Sequence, residues 1–225
     1  MNIQNQDSPI RGFQFDRFAE TLSVHRCKTI LDIGAWIGAW ADRLKPMLSK
    51  DSEIISIECN PLCESHLKAR GHKYYIAALS DLPKDLKFYI NKDDAICSGF
   101  SYYIEDSHHY NKKLYTELSS TTLDILCQSE NLSPNAIKLD TQGSEHDILL
   151  GAKKILNNKD LKVICLESAK QGVPTRNPGA SSQIEIIKYL DEFGFSKIEK
   201  IGGNLLRFGQ PDEMEHQQDL MFTRV

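Results

Sequence analysis

The chain alternates short apolar runs with amphipathic segments, in an order that predicts strands alternating with helices. The apolar runs are rich in Ile, Leu and Val, as buried strands are, and cover about 29–33, 53–58, 73–78, 86–90, 136–140 and 161–167. Apolar residues at helical spacing predict helices over about 13–24, 38–48 and 61–69, after Ser144, and from Ser182 to Phe193. This alternation predicts an α/β fold with a mainly parallel sheet and helices on both faces.

The ends of the predicted elements carry recognisable signals. Asn60 followed by Pro61 is typical of a helix start, and Ser182 with Glu185 forms a capping box. Ser144 is expected to cap the helix after the 136–140 strand in the same way. Two final runs, about 195–201 and 219–224, predict strands that pair as a hairpin.

Residues 91–120 interrupt this regular pattern. The segment is polar, rich in tyrosine and poorly periodic, and we interpret it as an inserted loop, or lid, within a single domain that spans 1–225. A short strand is expected only at its end, from Ser120, leading into a helix through Cys127.

The turn after the first strand carries the strongest functional signal. It reads Asp32-Ile-Gly34-Ala-Trp-Ile-Gly38, so glycines allow a close backbone approach to a ligand where a helix begins. A dinucleotide-binding loop would read Gly-x-Gly-x-x-Gly and would not favour an acid beside a pyrophosphate. An acid suits a cationic ligand such as a sulfonium, so the loop favours S-adenosylmethionine over a nicotinamide cofactor.

A second acid, Glu58, ends the next predicted strand. In a strand–helix–strand unit, this position lies beside the glycine loop, where a carboxylate accepts hydrogen bonds from both ribose hydroxyls of a nucleoside. Together, the loop and the two acids predict a nucleoside-binding site.

Composition restricts the class of protein further. The net charge is −4 and 40% of the residues are hydrophobic, which gives no indication of nucleic-acid binding. No apolar stretch approaches the ~20 residues of a membrane span, and the polar N-terminus does not resemble a signal peptide. Six scattered cysteines are interpreted as reduced, mostly buried thiols, so a cytoplasmic protein is expected and no residue is assigned as a metal ligand.

Several motifs, in order and spacing, resemble the FkbM-type S-adenosylmethionine-dependent methyltransferases. They are the glycine loop, Glu58-x-Asn-Pro61, Ala78-Leu-Ser-Asp81, Thr121-Thr-Leu-Asp124, Ile137-Lys-Leu-Asp-Thr-Gln-Gly-Ser-Glu145 and Leu150-Gly-Ala152. The resemblance spans about 29–167. It implies a class I methyltransferase fold, with a seven-stranded sheet whose last pair is antiparallel, and O-methylation of a glycan or a small-molecule natural product.

The resemblance also implies a set of cofactor-binding residues. They are Asp32, Gly34, Ala35, Trp36, Gly38, Glu58, Asn60, Ala78, Leu79 and Asp140. Trp36 departs from the pattern, because family members usually carry Asn there and many other class I enzymes carry Gly. Both of these residues tolerate a left-handed backbone. We expect Trp36 to keep ordinary dihedral angles and to wall the cofactor pocket.

Methyl transfer to an alcohol needs a base near the methyl group, and three residues are candidates. Asp140 ends the fourth strand of the methyltransferase pattern, where ligands bind in α/β sheets, and Glu167 ends the neighbouring strand. His146 follows closely after Asp140. Glu145 is as easily explained by the helix dipole as by a role in the reaction.

Two other functions stay open at this point. A nicotinamide-dependent oxidoreductase is disfavoured by Asp32 and by the missing middle glycine. A cofactor-binding scaffold without catalysis is disfavoured by the presence of Asp140 and Glu167. The identity of the acceptor, the oligomeric state and any metal requirement do not follow from the sequence.

Overall fold

A computed structural model describes residues 13–89, 99–100, 115–169, 181–203 and 217–225. The α-helices are α1 (Phe15–Val24), α2 (Ala39–Leu44), α3 (Glu64–Ala69), α4 (Leu123–Ser129), α5 (Glu145–Leu150), α6 (Lys153–Asn157) and α7 (Gln183–Glu192). The strands are β1 (Thr29–Ile33), β2 (Glu53–Glu58), β3 (Lys73–Ile76), β4 (Ala78–Leu79), β5 (Asp85–Tyr89), β6 (Gly99–Phe100), β7 (Tyr115–Thr121), β8 (Ala136–Leu139), β9 (Val163–Ala169), β10 (Lys197–Gly203) and β11 (Gln217–Thr223).

A seven-stranded sheet organises the structure, in the order β10-β11-β9-β8-β1-β2-β3. β3, β2, β1, β8 and β9 are parallel, whereas β11 runs antiparallel to both β9 and β10. The predicted fold class, with its antiparallel C-terminal hairpin, is therefore confirmed. The crossover from β3 back to β8 places the carboxyl ends of β1 and β8 side by side at the centre of the sheet, the position where α/β proteins bind ligands.

Each face of this sheet is covered by helices. On one face, α4 to α7 pack against alternate strand residues such as Leu31, Ile137 and Leu166. On the other face, α1 and α2 pack against Ile30 and Ala136. Burial of both faces explains why the central strands are almost continuously apolar in sequence.

A second sheet, of four strands in the order β4-β7-β5-β6, occupies part of the predicted insertion. Its strand β7 begins at Tyr115, so the expectation of an irregular segment up to residue 120 was wrong at that end. The cause is pairing with β5, a long-range contact that compensates for weak local periodicity. Most of the remaining insertion lies outside the described residues.

Two local predictions fail at the helix after β8. The expected single helix is divided into α5 and α6, and the carboxylate of Asp124 on α4 caps the start of α6 by accepting hydrogen bonds from the amides of Lys154 and Ile155. Ser144 makes no side-chain capping hydrogen bond. By contrast, the side chain of Asn60 accepts a hydrogen bond from the amide of Leu62 and so caps a short 3₁₀ helix, Pro61–Cys63, that leads into α3, and Ser182 forms the complete capping box with Glu185.

Candidate active site

The glycine loop follows β1 and lies directly against the end of β8. Gly34 and Gly38 have φ values of +77° and +84°, a left-handed conformation that side chains disfavour. A Cβ atom at Gly34 would lie 1.9 Å from the carbonyl oxygen of Asp140. The backbone amides of Gly34 and Ala35 both donate to the carbonyl of Ile57 at the end of β2. The loop therefore joins the ends of three neighbouring strands.

Trp36 is the strained residue of this loop. Its φ is +50°, so the expectation of ordinary dihedral angles was wrong. A left-handed conformation costs a non-glycine residue about 1–2 kcal/mol, and surrounding contacts must compensate for that cost. The backbone amide of Trp36 donates to Oε2 of Glu58 at 2.7 Å, which is one such contact.

Glu58 holds the loop and the following helix start at the same time. Its Oε1 accepts a hydrogen bond from the backbone amide of Asn60 at 2.8 Å, while the other oxygen accepts from Trp36. The side chain is buried, and burial raises the pKa of Glu58 even though these donors lower it. The next segment begins here too, because the amide of Ala77 donates to the carbonyl of Glu58, placing β4 (Ala78 and Leu79) beside the acid.

Asp32 lies beneath the loop, with none of its surface exposed. Its Oδ1 is 2.9 Å from Nζ of Lys138, on the adjacent strand β8. Burial lowers the pKa of Lys138, but attraction to Asp32 and Asp140 outweighs this effect and leaves it above the ordinary value. Because its charge is balanced by a lysine, Asp32 does not offer the free negative charge that the sequence suggested.

Asp140 and Glu167 are brought together at the ends of β8 and β9. The side-chain amide of Gln142 donates to both carboxylates, to Asp140 Oδ1 at 2.8 Å and to Glu167 Oε2 at 3.2 Å. The Asp140 side chain is 37% exposed, and its backbone carbonyl lies against Gly34. Burial, together with repulsion from Asp140 and Asp219, raises the pKa of Glu167 well above its ordinary value.

Asp219 is a third carboxylate in this row that sequence reasoning missed. It is the cross-strand neighbour of Glu167 on β11, and it packs closely against the backbone of Gly202. Burial and repulsion from Asp140 raise its pKa to about 7. No local signal marks Asp219 in the sequence, because only the antiparallel pairing of β11 with β9 brings it to the site.

The turn between β8 and α5 is shaped by Glu145 rather than by Ser144. Oε1 of Glu145, which is buried, accepts hydrogen bonds from the amides of Thr141 and Gly143 at 2.7 and 3.1 Å. Gln142, between them, has a left-handed φ of +56°. Glu145 thus stabilises the conformation from which Gln142 reaches the two carboxylates.

His146 makes its contacts on the α7 side of the structure. Its Nδ1 lies 2.6 Å from Oγ of Ser181, and its ring packs edge-on against Tyr189. These partners differ from those of Asp140 and Glu167, which share Gln142. The three candidate bases from the sequence are therefore two neighbouring carboxylates and one histidine with separate contacts.

The candidate site has two main features. One is the glycine loop, where Gly34 leaves no room for a side chain, and the other is the row of carboxylates Asp140, Glu167 and Asp219. Asp140, the exposed member of the row, is able to accept a proton from a bound hydroxyl. Among the described parts of the chain, no group of three or more His, Cys, Asp or Glu residues is arranged to hold a metal ion, and no helix is long and apolar enough to cross a membrane.

A family model described as "Methyltransferase FkbM domain" matches residues 32–197, which include the glycine loop, Glu58, Asp140 and Glu167. No curated protein sequence is significantly similar to the chain.

Solved structures give the fold. Methyltransferase FkbM from Methylobacillus flagellatus KT superposes with a TM-score of 0.52 and 15% identity, over 87% of this chain and 43% of that one. EvdMO1 superposes with a TM-score of 0.49 and 13% identity, over 94% of this chain and 41% of that one. The N-terminal domain of EvdMO1, solved with SAH bound, superposes with a TM-score of 0.48 and 11% identity, over 98% of this chain and 85% of that domain. The chain therefore spans less than half the length of the first two proteins.

Proposed function

The chain belongs to the FkbM family of S-adenosylmethionine-dependent methyltransferases, and on this basis we propose that it methylates a hydroxyl group. The acceptor in this proposal is a glycan or a small-molecule natural product. The observation that carries the proposal is the Asp140–Glu167 pair, bridged by Gln142 at the carboxyl ends of two central strands. Such a pair suits an alcohol, which is a poor nucleophile until it loses its proton.

The cofactor-facing residues fit a nucleoside-containing ligand. Gly34 packs directly against the backbone carbonyl of Asp140, which holds the loop at the carboxyl ends of β1 and β8, where α/β sheets bind ligands. Glu58 lies beside the loop, and its carboxylate oxygens have acceptor capacity beyond the amides of Trp36 and Asn60. We assign the cofactor to the Gly34–Gly38 loop, with Glu58 on its ribose and Asn60, Ala78 and Leu79 nearby. When bound, S-adenosylmethionine supplies an electrophilic methyl group.

Asp32 contributes indirectly in this proposal. Its pairing with Lys138 lies below the loop, so it supports the conformation of the loop instead of touching the cofactor. Trp36 keeps its proposed place at the wall of the pocket, now in a left-handed conformation anchored by Glu58.

Asp140 is the proposed base, and Glu167 assists it. Gln142 donates to both carboxylates and so offsets the repulsion between them. The raised pKa of Glu167 means that one acid of the pair retains a proton more readily, which leaves Asp140 as the acceptor for the hydroxyl proton. His146 is the alternative base, with weaker support because its observed contacts are with Ser181 and Tyr189.

The test is transfer of isotopically labelled methyl from S-adenosylmethionine to a panel of sugars, polyols, phenols and matched amines, followed by mass spectrometry. We expect methylated hydroxyl products. Asp140→Asn keeps the side-chain shape and should lower turnover by ~10²–10⁴-fold while S-adenosylhomocysteine still binds. Methylation of the amines alone would contradict the proposed acceptor class. A loss of only a few-fold in Asp140→Asn would exclude Asp140 as the base and favour His146.

A further inference from the structure

Lys138 lies inside the central sheet, a rare location for a lysine. Its side chain is only 7% exposed, and its cross-strand neighbours are Asp32 on β1 and Cys165 on β9. The residues on either side of it, Ile137 and Leu139, point to the opposite, fully apolar face. A buried ammonium group is costly unless acceptors match its donors, so the role of Lys138 is inferred from the acceptors around it.

The ammonium group of Lys138 joins three parts of the candidate site. It lies 2.9 Å from Oδ1 of Asp32 and donates to the carbonyl oxygen of Gly34 at 3.1 Å. It also lies 3.9 Å from Oδ2 of Asp140, and 5.6 Å from the ring centre of Trp40 at the start of α2. One cation therefore contacts the strand before the glycine loop, the first carbonyl of the loop and the proposed base.

The contacts of Lys138 lie where the backbone of the glycine loop packs closely against the backbone at the end of β8. Gly34 is so close to the carbonyl of Asp140 that no side chain fits between them. A small movement of the Gly34 carbonyl would therefore change the spacing between the loop and the end of β8. Lys138 makes polar contacts with both the Gly34 carbonyl and the Asp140 carboxylate.

We propose that Lys138 is a positioning residue that fixes the cofactor loop and the Asp140 carboxylate relative to each other. This inference rests on the proposed function, because it assumes that the loop binds S-adenosylmethionine and that Asp140 faces the acceptor. It adds a role for a residue that touches neither the cofactor nor the acceptor and acts through Gly34 and Asp140. Misplacement of reacting groups by about 1 Å costs roughly 100-fold in rate, so a residue of this kind affects turnover strongly.

The alternative is that Lys138 only neutralises Asp32. In that case, removing both charges together should leave the site intact, since a buried ion pair is often replaceable by neutral side chains without loss of stability. The positioning role predicts a different result, because the hydrogen bond to Gly34 and the attraction to Asp140 are lost even when Asp32 is neutral.

The experiment compares Asp32→Asn with the double variant Asp32→Asn/Lys138→Met. The single variant keeps the contacts of Lys138 to Gly34 and Asp140, and the double variant loses them without leaving a buried charge unpaired. Arg17→Met is the control, because it breaks an ion pair between α1 and Glu199 on β10, a strand four positions away from β1 in the sheet. For each protein, S-adenosylhomocysteine affinity is measured by calorimetry and the free energy of unfolding by denaturant titration.

We expect the double variant to bind S-adenosylhomocysteine at least about 10-fold more weakly than Asp32→Asn, with equal or higher stability. Arg17→Met should bind like the wild type. Equal affinity in the double and single variants would overturn the inference while leaving the proposed function intact. Failure of the wild type to bind S-adenosylhomocysteine would overturn the proposed function and the inference with it.

A pH titration separates positioning from a loss of packing. Glu167 is faced by Asp140, Lys138, Glu145 and Asp219, and Lys138 is the cation of that set. Removing it raises the pKa of Glu167, so the carboxyl resonance of Glu167 in carbon-13 spectra should titrate at higher pH in the double variant than in Asp32→Asn. An unchanged titration would show that Lys138 does not act on the carboxylates and would overturn this part of the inference.

Discussion

Replacing Glu58 by Ala should weaken both folding and cofactor binding, by separable amounts. In the free protein, the Glu58 carboxylate accepts hydrogen bonds from the amides of Trp36 and Asn60, at 2.7 and 2.8 Å. Hydrogen bonds to a charged group contribute about 1.5–3 kcal/mol each, and the pair shares one carboxylate. The truncation also frees Trp36 from its anchor in a strained conformation. We therefore expect the free energy of unfolding to fall by about 2–4 kcal/mol.

The contact with the ribose adds a further loss that appears only in the complex. Calorimetry with S-adenosylhomocysteine should show binding weaker by about 1.5–3 kcal/mol, roughly 10- to 100-fold, after correction for any unfolded fraction. Glu58→Gln should lie between the wild type and Glu58→Ala, because its amide keeps one carbonyl oxygen as an acceptor.

Asp51→Ala is the matched control for this experiment. Asp51 is a carboxylate in an exposed ion pair with Lys28, and exposed pairs contribute at most about 1 kcal/mol. If Glu58→Ala costs no more stability than Asp51→Ala, the two amide hydrogen bonds do not anchor the loop. If stability falls but affinity does not, Glu58 lies outside the cofactor site.

Two further predictions concern stability. Asp219 has a pKa of about 7 in the folded protein against an ordinary value of 3.8, so its protonated form favours folding and this contribution is lost as the pH rises from about 4 to 7. Asp219→Asn should therefore be more stable than the wild type at pH 8, by about 1–3 kcal/mol given the partial exposure of Asp219. In denaturant titrations, this difference in the free energy of unfolding should vanish near pH 3. A variant less stable than the wild type at pH 8 would contradict the raised pKa of Asp219. Gly151→Ala places a Cβ atom 2.2 Å from the Ser80 carbonyl and should lower the free energy of unfolding by about 1–3 kcal/mol. The Cβ atom of Gly71→Ala meets nothing within 4 Å, so this control should lose only about 1 kcal/mol through the strain of its left-handed φ. Thermal melts that rank these two alanine variants in the opposite order would refute the packing argument.

The parts of the fold that local sequence determines were predicted well. β1 and β2 were predicted with the observed bounds, because a short apolar run that ends in Gly34 or in Glu58 leaves little choice of structure. The caps at Asn60 and Ser182 follow from side chains that bond to their own neighbours in sequence. The mainly parallel sheet with an antiparallel last pair also follows from the alternation of strands and helices, together with the resemblance to a known family.

The parts that depend on contacts between distant segments were not predictable in the same way. β7 pairs with β5, some 30 residues earlier in the sequence, and its own residues show little periodicity. The start of α6 is capped by Asp124, some 30 residues earlier in the sequence, which accepts hydrogen bonds from the amides of Lys154 and Ile155. Asp219 joins the carboxylate row only through the antiparallel pairing of β11 with β9.

The strain at Trp36 and the role of Lys138 form an intermediate case. The resemblance implies that Asn usually occupies the position of Trp36, which was a signal that the backbone there is left-handed. Lys138 stands between Ile137 and Leu139 in a strand that is otherwise apolar, and a charged residue in such a strand needs a buried partner. The identity of that partner, Asp32, became clear only from the register of β1 and β8.

The central claim is that the loop after β1 and Glu58 form an S-adenosylmethionine site. Calorimetric titration of the wild-type protein with S-adenosylhomocysteine, with NAD as the comparison, tests this claim most directly. We predict saturable binding of one S-adenosylhomocysteine molecule per chain and no measurable binding of NAD. Absence of S-adenosylhomocysteine binding by the folded protein, or competition for the site by NAD, would contradict the account.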